Sequence, residues 1–306
     1  MMTDAIYGGV NAAVLTPMRP DLSVDLDAMA GQCRWLLANG CNGLGILGTT
    51  GEANSIGIAE RLEIMEGMVE RGIPAAKLMP GVGTPAIPDT VLLTKRAAEL
   101  GCPGVLALPP FFYKNPSEDG LVAYFDAVIQ RLGGETKIYL YHFPAQSAVP
   151  FTLSLVEKLL RKFPGVIKGI KDSSGDFANT KAYADHFAKY GFEVYCGDDG
   201  ALRDLLLAGG AGCITAAANV GCGTSAIVYA NAGNATGEQA QVTLAQIRKA
   251  VVSAPLIPGL KALTARRTGS SVWDTMRPPH MPLNGEAKAK LFAAFDACGV
   301  TLTKAA

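Results

Sequence analysis

A lysine, a tyrosine and a hydroxyl-bearing turn stand at the ends of strand-like runs in this chain, an arrangement suited to covalent chemistry on a carbonyl. Lys171 closes the run Val166-Ile167-Lys168-Gly169-Ile170-Lys171-Asp172. Side chains alternate along a strand, so Lys168 and Lys171 are expected on opposite faces. Lys171 then shares its face with Ile167 and Gly169, and the glycine leaves space beside the lysine stem. An amine on an apolar strand is desolvated, which favours the uncharged form that attacks a ketone to give an imine. The plainer alternative is a lysine paired with Asp172 or another carboxylate.

A second run reads Lys137-Ile138-Tyr139-Leu140-Tyr141-His142-Phe143-Pro144. Tyr139 and Tyr141 share one face, Ile138 and Leu140 the other. Tyr141, last on its face, is the better candidate for moving a proton at the rim, and His142 points the other way as a structural residue. Gly48-Thr49-Thr50-Gly51-Glu52 follows another apolar run. Its glycines permit a tight turn that exposes successive N–H groups beside two hydroxyls, a seat for a small carboxylate. The same pattern also suits an ordinary polar turn. Leu108 through Pro116 forms an aromatic, proline-braced loop that either folds over a site or packs on another subunit.

Eight apolar runs can position these groups: 10–15, 43–47, 77–82, 104–108, 137–142, 165–171, 193–197 and 212–216. Helical spacing separates them. In 57–71, Ile58, Leu62, Met65 and Val69 form a stripe facing the core, with Arg61 turned away. Ser117 and Thr152 are helix caps, and Leu155, Val156, Leu159 and Leu160 form a buried face. Short connections between such units imply parallel strands, and eight of them predict an (α/β)8 TIM barrel, with an open doubly wound sheet as the alternative. Residues 1–221 are assigned to the barrel and 222–306 to a helical extension packed on it.

Composition narrows the function classes. The 306 residues carry 27 basic and 27 acidic side chains, so net charge gives no reason to expect nucleic acid or an anionic membrane. Apolar residues make up 49%, enough for a large core, yet no run approaches the roughly 20 apolar residues of a membrane span. The N-terminus lacks signal-peptide character, which points to the cytoplasm. Seven cysteines without CxxC spacing and three histidines suggest free thiols rather than disulfides or a zinc site.

Together these motifs resemble the dihydrodipicolinate synthase / N-acetylneuraminate lyase family of Schiff-base aldolases. Gly48-Thr49-Thr50-Gly51-Glu52, Tyr141-His142-Phe143-Pro144 for Y-N-x-P, Gly169-Ile170-Lys171-Asp172 for G-[IV]-K, the loop Pro110–Pro116 and Gly197-Asp198-Asp199 occur in family order, with Arg277-Pro278-Pro279 in the tail. The resemblance implies a TIM barrel in which Lys171 forms a Schiff base with pyruvate and no cofactor or metal takes part. It implies that Tyr141 and Thr50 relay protons, that Gly48, Thr49 and Thr50 hold the carboxylate, and that Tyr113 reaches a neighbouring subunit's site in a homodimer or homotetramer. The reaction implied is cleavage or formation of a 4-hydroxy-2-oxo acid from pyruvate and an aldehyde.

The likeness weakens at the second substrate. The arginine that clamps a carboxylate in dihydrodipicolinate synthases is replaced by Gln146, and positions that hold sugar hydroxyls in N-acetylneuraminate lyases are Gly200 and Ala216. Asp198, Asp199, Thr215 and Asn219 are expected near the rim, with Asp199 and Thr215 contacting substrate. Two acidic side chains favour a neutral, hydroxylated aldehyde, hence a 2-keto-3-deoxy sugar acid. Dehydration without carbon–carbon cleavage, the dihydrodipicolinate synthase reaction and a non-catalytic barrel that binds 2-oxo acids are the alternatives. A phosphate-binding isomerase, suggested by the glycine runs at 81–83 and 209–212, is a further one.

Overall fold

All the expected strands but one form a single parallel sheet, each return made through a helix as parallel pairing requires. In the computed structural model, which describes residues 5–134 and 136–302, they are β1 (Gly9–Ala13), β2 (Gly43–Gly45), β3 (Gly104–Ala107), β4 (Lys137–His142), β5 (Ile167–Asp172), β6 (Glu193–Cys196) and β7 (Gly212–Thr215). Their order is β2-β1-β7-β6-β5-β4-β3. The edges β2 and β3 are spanned by 78–82, the remaining expected strand. Met79 N donates to Leu44 O at 2.9 Å and Gly81 N to Ile46 O at 2.8 Å, while Val82 N donates to Leu106 O at 2.9 Å. Pro80 lacks an N–H, so the segment bridges the seam without becoming a regular strand. The barrel is thereby nearly closed, as expected.

Tyr7, Met79, Leu106, Tyr139, Tyr141 and Tyr195 pack inside the barrel with Ala211 and Ile214. Ile138, Leu140, Ile170 and Val194 face the surrounding helices. Alternation on β4 therefore runs as read. On β5 it does not. Ile138 pairs with Ile167 but Tyr139 pairs with Gly169, so Lys168 is an extra residue, a bulge. Ile167 consequently packs in the outer layer rather than beside Lys171. The Lys168 amine instead reaches Gly191 O at 3.1 Å and Glu193 at 3.4 Å. Gly169 does not leave a void either: a Cβ there would lie 2.3 Å from Glu193 O and 2.8 Å from the Tyr139 ring.

Ser117 and Thr152 cap the helices Glu118–Ile129 and Leu153–Lys162 as expected. On helix Ile58–Glu70 the expected stripe of Ile58, Leu62, Met65 and Val69 does pack against the core, but the buried face is wider than expected. Ile64, Met65 and Met68 are buried, and so is Arg61, whose guanidinium is occupied by the carbonyls of Ala53 and Ile56. The glycine runs serve packing: Gly81 and Gly83 sit against the backbones of Leu47 and Leu108, and Gly212 against Gly9.

After β7, helix Ala218–Asn231 runs through position 221, and helices Ala235–Val251, Leu256–Thr268 and Gly285–Asp296 follow. Their apolar faces (Ile247, Leu260, Leu263, Trp273, Leu291 and Phe295) share a core with Leu15, Ala216, Ala217 and Val220, which lie just beyond the C-terminal ends of β1 and β7. Burial of this shared face sets the extension beside the barrel mouth. Among the described residues no helix is long and apolar enough to cross a membrane.

Candidate active site

The strands' C-terminal ends open into a cavity of about 290 Å³. Lys171 enters it from β5, Tyr141 from β4, and Thr49 and Thr50 from the turn after β2. The lysine is 5% exposed, its Nζ lies 4.1 Å from the Tyr141 ring centroid, and it enters no ion pair among the described residues. The alternative of pairing with Asp172 fails on parity, because that carboxylate faces the outer side. There it accepts from Ser174 N at 2.9 Å, Ser174 Oγ at 3.0 Å, Asn179 Nδ2 at 3.1 Å and Thr180 Oγ1 at 2.6 Å. His142 likewise faces outward, its Nδ1 2.5 Å from the Tyr183 hydroxyl. Burial holds the His142 pKa below the usual imidazole range.

The threonine turn is held by its ends. Glu52 N donates to Thr49 O at 3.0 Å, Ala53 N to Gly48 O at 3.2 Å, and Thr16 Oγ1 to Gly51 O at 2.8 Å. Leu47 and Glu52 adopt left-handed φ values of 56° and 57°, which fold the chain back tightly. The N–H groups from Gly48 to Gly51, and both threonine hydroxyls, donate to no other described residue. Backbone donors in such a place call for an acceptor, and a carboxylate supplies up to four lone-pair sites. Below the turn, Glu52 makes an ion pair with Lys261 of the extension, both side chains fully buried, and Lys261 Nζ also donates to Thr275 O at 2.9 Å.

Several expected residues are placed elsewhere. Asp199 is fully buried outside the cavity wall, because the chain enters a short 3₁₀ turn, Asp199–Ala201, immediately after β6. Thr215 is also fully buried, its Oγ1 accepting from Ala217 N at 3.3 Å. Asn219 spends its amide on Ala13 O at 2.7 Å and Ala216 O at 2.8 Å, stapling β1 to β7. Gly48 faces a smaller recess with Gly81 and Gly83. Tyr113 is 77% exposed, edge-on to Phe112 and away from this chain's cavity. The case for a neutral acceptor resting on two acidic side chains therefore loses Asp199.

The wall also contains residues that sequence reasoning did not single out. Phe143 stacks on Tyr141 with centroids 5.8 Å apart, and Ser173 lies two residues past Lys171. Strand parity could have found both. Gly197 accommodates Ser173, whose Oγ would lie 2.0 Å from a Cβ there. Arg248, Leu256, Ile257, Pro258 and His280 come from the extension, and no local pattern places them. Arg248 Nε lies 3.5 Å from Asp198 Oδ1.

Fold and cavity together define an α/β-barrel enzyme with its site at the C-terminal ends of the strands. The chain belongs to the dihydrodipicolinate synthetase family, whose model matches residues 6–298, and it is an enzyme of the lyase class. It is 34% identical over 293 residues to an uncharacterised DapA-like lyase from Chloroflexus aurantiacus, covering 94% of this chain and 96% of that one. It is 31% identical over 300 residues to a 4-hydroxy-tetrahydrodipicolinate synthase from Leptothrix cholodnii, covering 96% and 99%. Among solved structures, YagE from E. coli, determined in complex with pyruvate, superposes with a TM-score of 0.88 at 27% identity over 97% of this chain and all of that one. Dihydrodipicolinate synthase from Agrobacterium tumefaciens gives 0.86 at 31% identity over 95% and 99%.

Proposed function

We propose that this protein binds pyruvate as a Schiff base on Lys171 and uses it to form or cleave a 4-hydroxy-2-oxo acid. One observation carries the reading: a buried lysine amine without an ion pair among the described residues opens into the same cavity as the N–H and hydroxyl groups of Thr49 and Thr50, which donate to no described residue. The turn seats the carboxylate of the oxo acid, which sets its carbonyl against Nζ. Nζ attacks that carbonyl, and the resulting carbinolamine loses water to give an iminium. Tyr141 and Thr50 carry the protons this exchange requires. The iminium withdraws electrons from the 2-carbon, a C3 proton leaves, and the enamine attacks an aldehyde. Hydrolysis then frees Lys171. Tyr113 and Phe112, exposed on their loop, are assigned to a contact between subunits of a homo-oligomer.

Borohydride reduction with pyruvate, followed by intact mass, tests this. One three-carbon adduct per chain, mapped to Lys171 and absent from Lys171→Ala, is expected. An adduct elsewhere, or none, removes the reading. A second substrate assignment, the 4-hydroxy-tetrahydrodipicolinate synthase reaction, is favoured by the relatives of that name. Against it stands Gln146, which supplies no charge where those enzymes are expected to carry arginine. Product analysis separates it from cleavage of a 2-keto-3-deoxy acid and from dehydration.

A further inference from the structure

We propose that Arg248 forms the acceptor subsite of this cavity and selects a second substrate bearing a carboxylate or phosphate at the end remote from its aldehyde. The inference rests on the pyruvate reading above and names the substrate class of the same site. Arg248 sits in the last turn of helix Ala235–Val251, in the cavity wall. It and Lys171 are the wall's lysine and arginine side chains among the described residues, and Lys171 is consumed by the first substrate.

A guanidinium has five N–H donors in a planar fork. The nearest approach of Asp198 is to Nε, at 3.5 Å, and its Oδ1 also accepts from Gly200 N at 2.9 Å. Ion pairs of that length between partly exposed side chains are weak. The terminal Nη1 and Nη2 atoms make no hydrogen bond to any described residue. Two parallel donors held in this way match a carboxylate or phosphate bidentately, whereas a hydroxyl uses only one. The iminium and the carboxylate of bound pyruvate cancel, and the two carboxylates near Arg248 both leave its fork open: Asp198 stands off at 3.5 Å, and Asp199, buried outside the wall, acts on it through charge without a hydrogen bond. A charge that Gln146 cannot supply is thus provided from the helical extension.

The test uses the full-length enzyme with pyruvate and three aldehydes of matched length, ending in carboxylate, phosphate or hydroxyl. The wild type is expected to have the higher kcat/KM for at least one anionic aldehyde, mainly through KM. In Arg248→Ala the anionic-to-neutral ratio should fall ~10- to ~100-fold, the range for a lost charged hydrogen bond. Arg248→Lys, which keeps the charge but not the fork, should fall between. A fall confined to the carboxylate or to the phosphate aldehyde identifies the anion. Preference for the hydroxyl aldehyde in the wild type, or an unchanged ratio in Arg248→Ala, overturns the proposal. Trapping of pyruvate by the wild type is scored separately: its failure sinks the imine reading, while trapping without anion discrimination sinks only the acceptor subsite.

Discussion

Asp199 keeps its carboxyl fully buried. Burial pushes its pKa up to about 6 against the pull of Arg248, and Asp198 adds to the rise. The folded value lies above the unfolded one near 3.9, so between roughly pH 4 and 6 the folded state binds more protons. Stability is therefore expected to fall as pH rises through that window, by up to about 3 kcal/mol at pH 7. Asp199→Asn should flatten the slope and raise the melting temperature at neutral pH. Urea titrations from pH 4 to 8 check this, and an unchanged slope in the variant places the titration elsewhere. Tyr141 should behave differently. Its hydroxyl engages no described residue, so Tyr141→Phe strands no partner. Turnover should drop about 10²- to 10⁴-fold, the usual contribution of a proton-transfer group, with little change in melting by circular dichroism. Lys171 and Tyr141 could be directed into the cavity from sequence because each ends an apolar strand, where parity decides direction, and the two threonines were marked by the glycine-flanked turn that holds them. Thr215 obeys parity, since its neighbour Ile214 faces the barrel interior and turns it outward, whereas Asp199 lies past β6 in a 3₁₀ turn where parity gives no direction.

Elements, rather than single side chains, decide whether the threonine turn is held in place. Glu52 ends it in a left-handed conformation and is tied to Lys261 on helix Leu256–Thr268. Burial holds the Lys261 pKa below its ordinary value while Glu52 pulls it back up. Breaking such a pair leaves a lone buried charge, so Lys261→Met should cost about 3–5 kcal/mol. Adding Glu52→Gln should recover much of that loss, because the stranded charge goes with it. Chemical denaturation of the two singles and the double forms the cycle, and strict additivity would sink the coupling. The trapping rate of pyruvate in Lys261→Met gives an independent readout, expected to fall as the turn relaxes. Arg61, from helix Ile58–Glu70, ties down the segment that follows the turn through the carbonyls of Ala53 and Ile56. Apolar spacing predicted that helix and its core-facing stripe but not the burial of Arg61, because a stripe of Ile58, Leu62, Met65 and Val69 contains no information about carbonyls waiting nearby. The bulge at Lys168 is comparable: two lysines three apart look like opposite faces until the pairing of Tyr139 with Gly169 is known.

At the scale of the whole molecule, the barrel does not complete its own site. Arg248, Leu256–Pro258 and His280 come from the extension, and so does the partner of Glu52. The core under those helices includes barrel residues Leu15, Ala216 and Ala217 as well as Leu291 and Phe295. A shared core argues that residues beyond 221 cannot melt while the barrel remains intact, even though their helical composition sets them apart in the sequence. Arg277 reinforces the union, donating to Glu60 Oε2 at 2.8 Å and Ser55 O at 2.7 Å across the two parts. Phe295→Ala removes a fully buried ring from this core and should cost about 3–5 kcal/mol. If the two parts form one cooperative unit, calorimetry will show a single transition in the wild type and a single, lower one in the variant. Hydrogen exchange in β4 and β5 should then accelerate together with exchange in helix Leu256–Thr268. Two resolved transitions, with only the later helices destabilised, would make the extension a separate domain resting on a self-sufficient barrel.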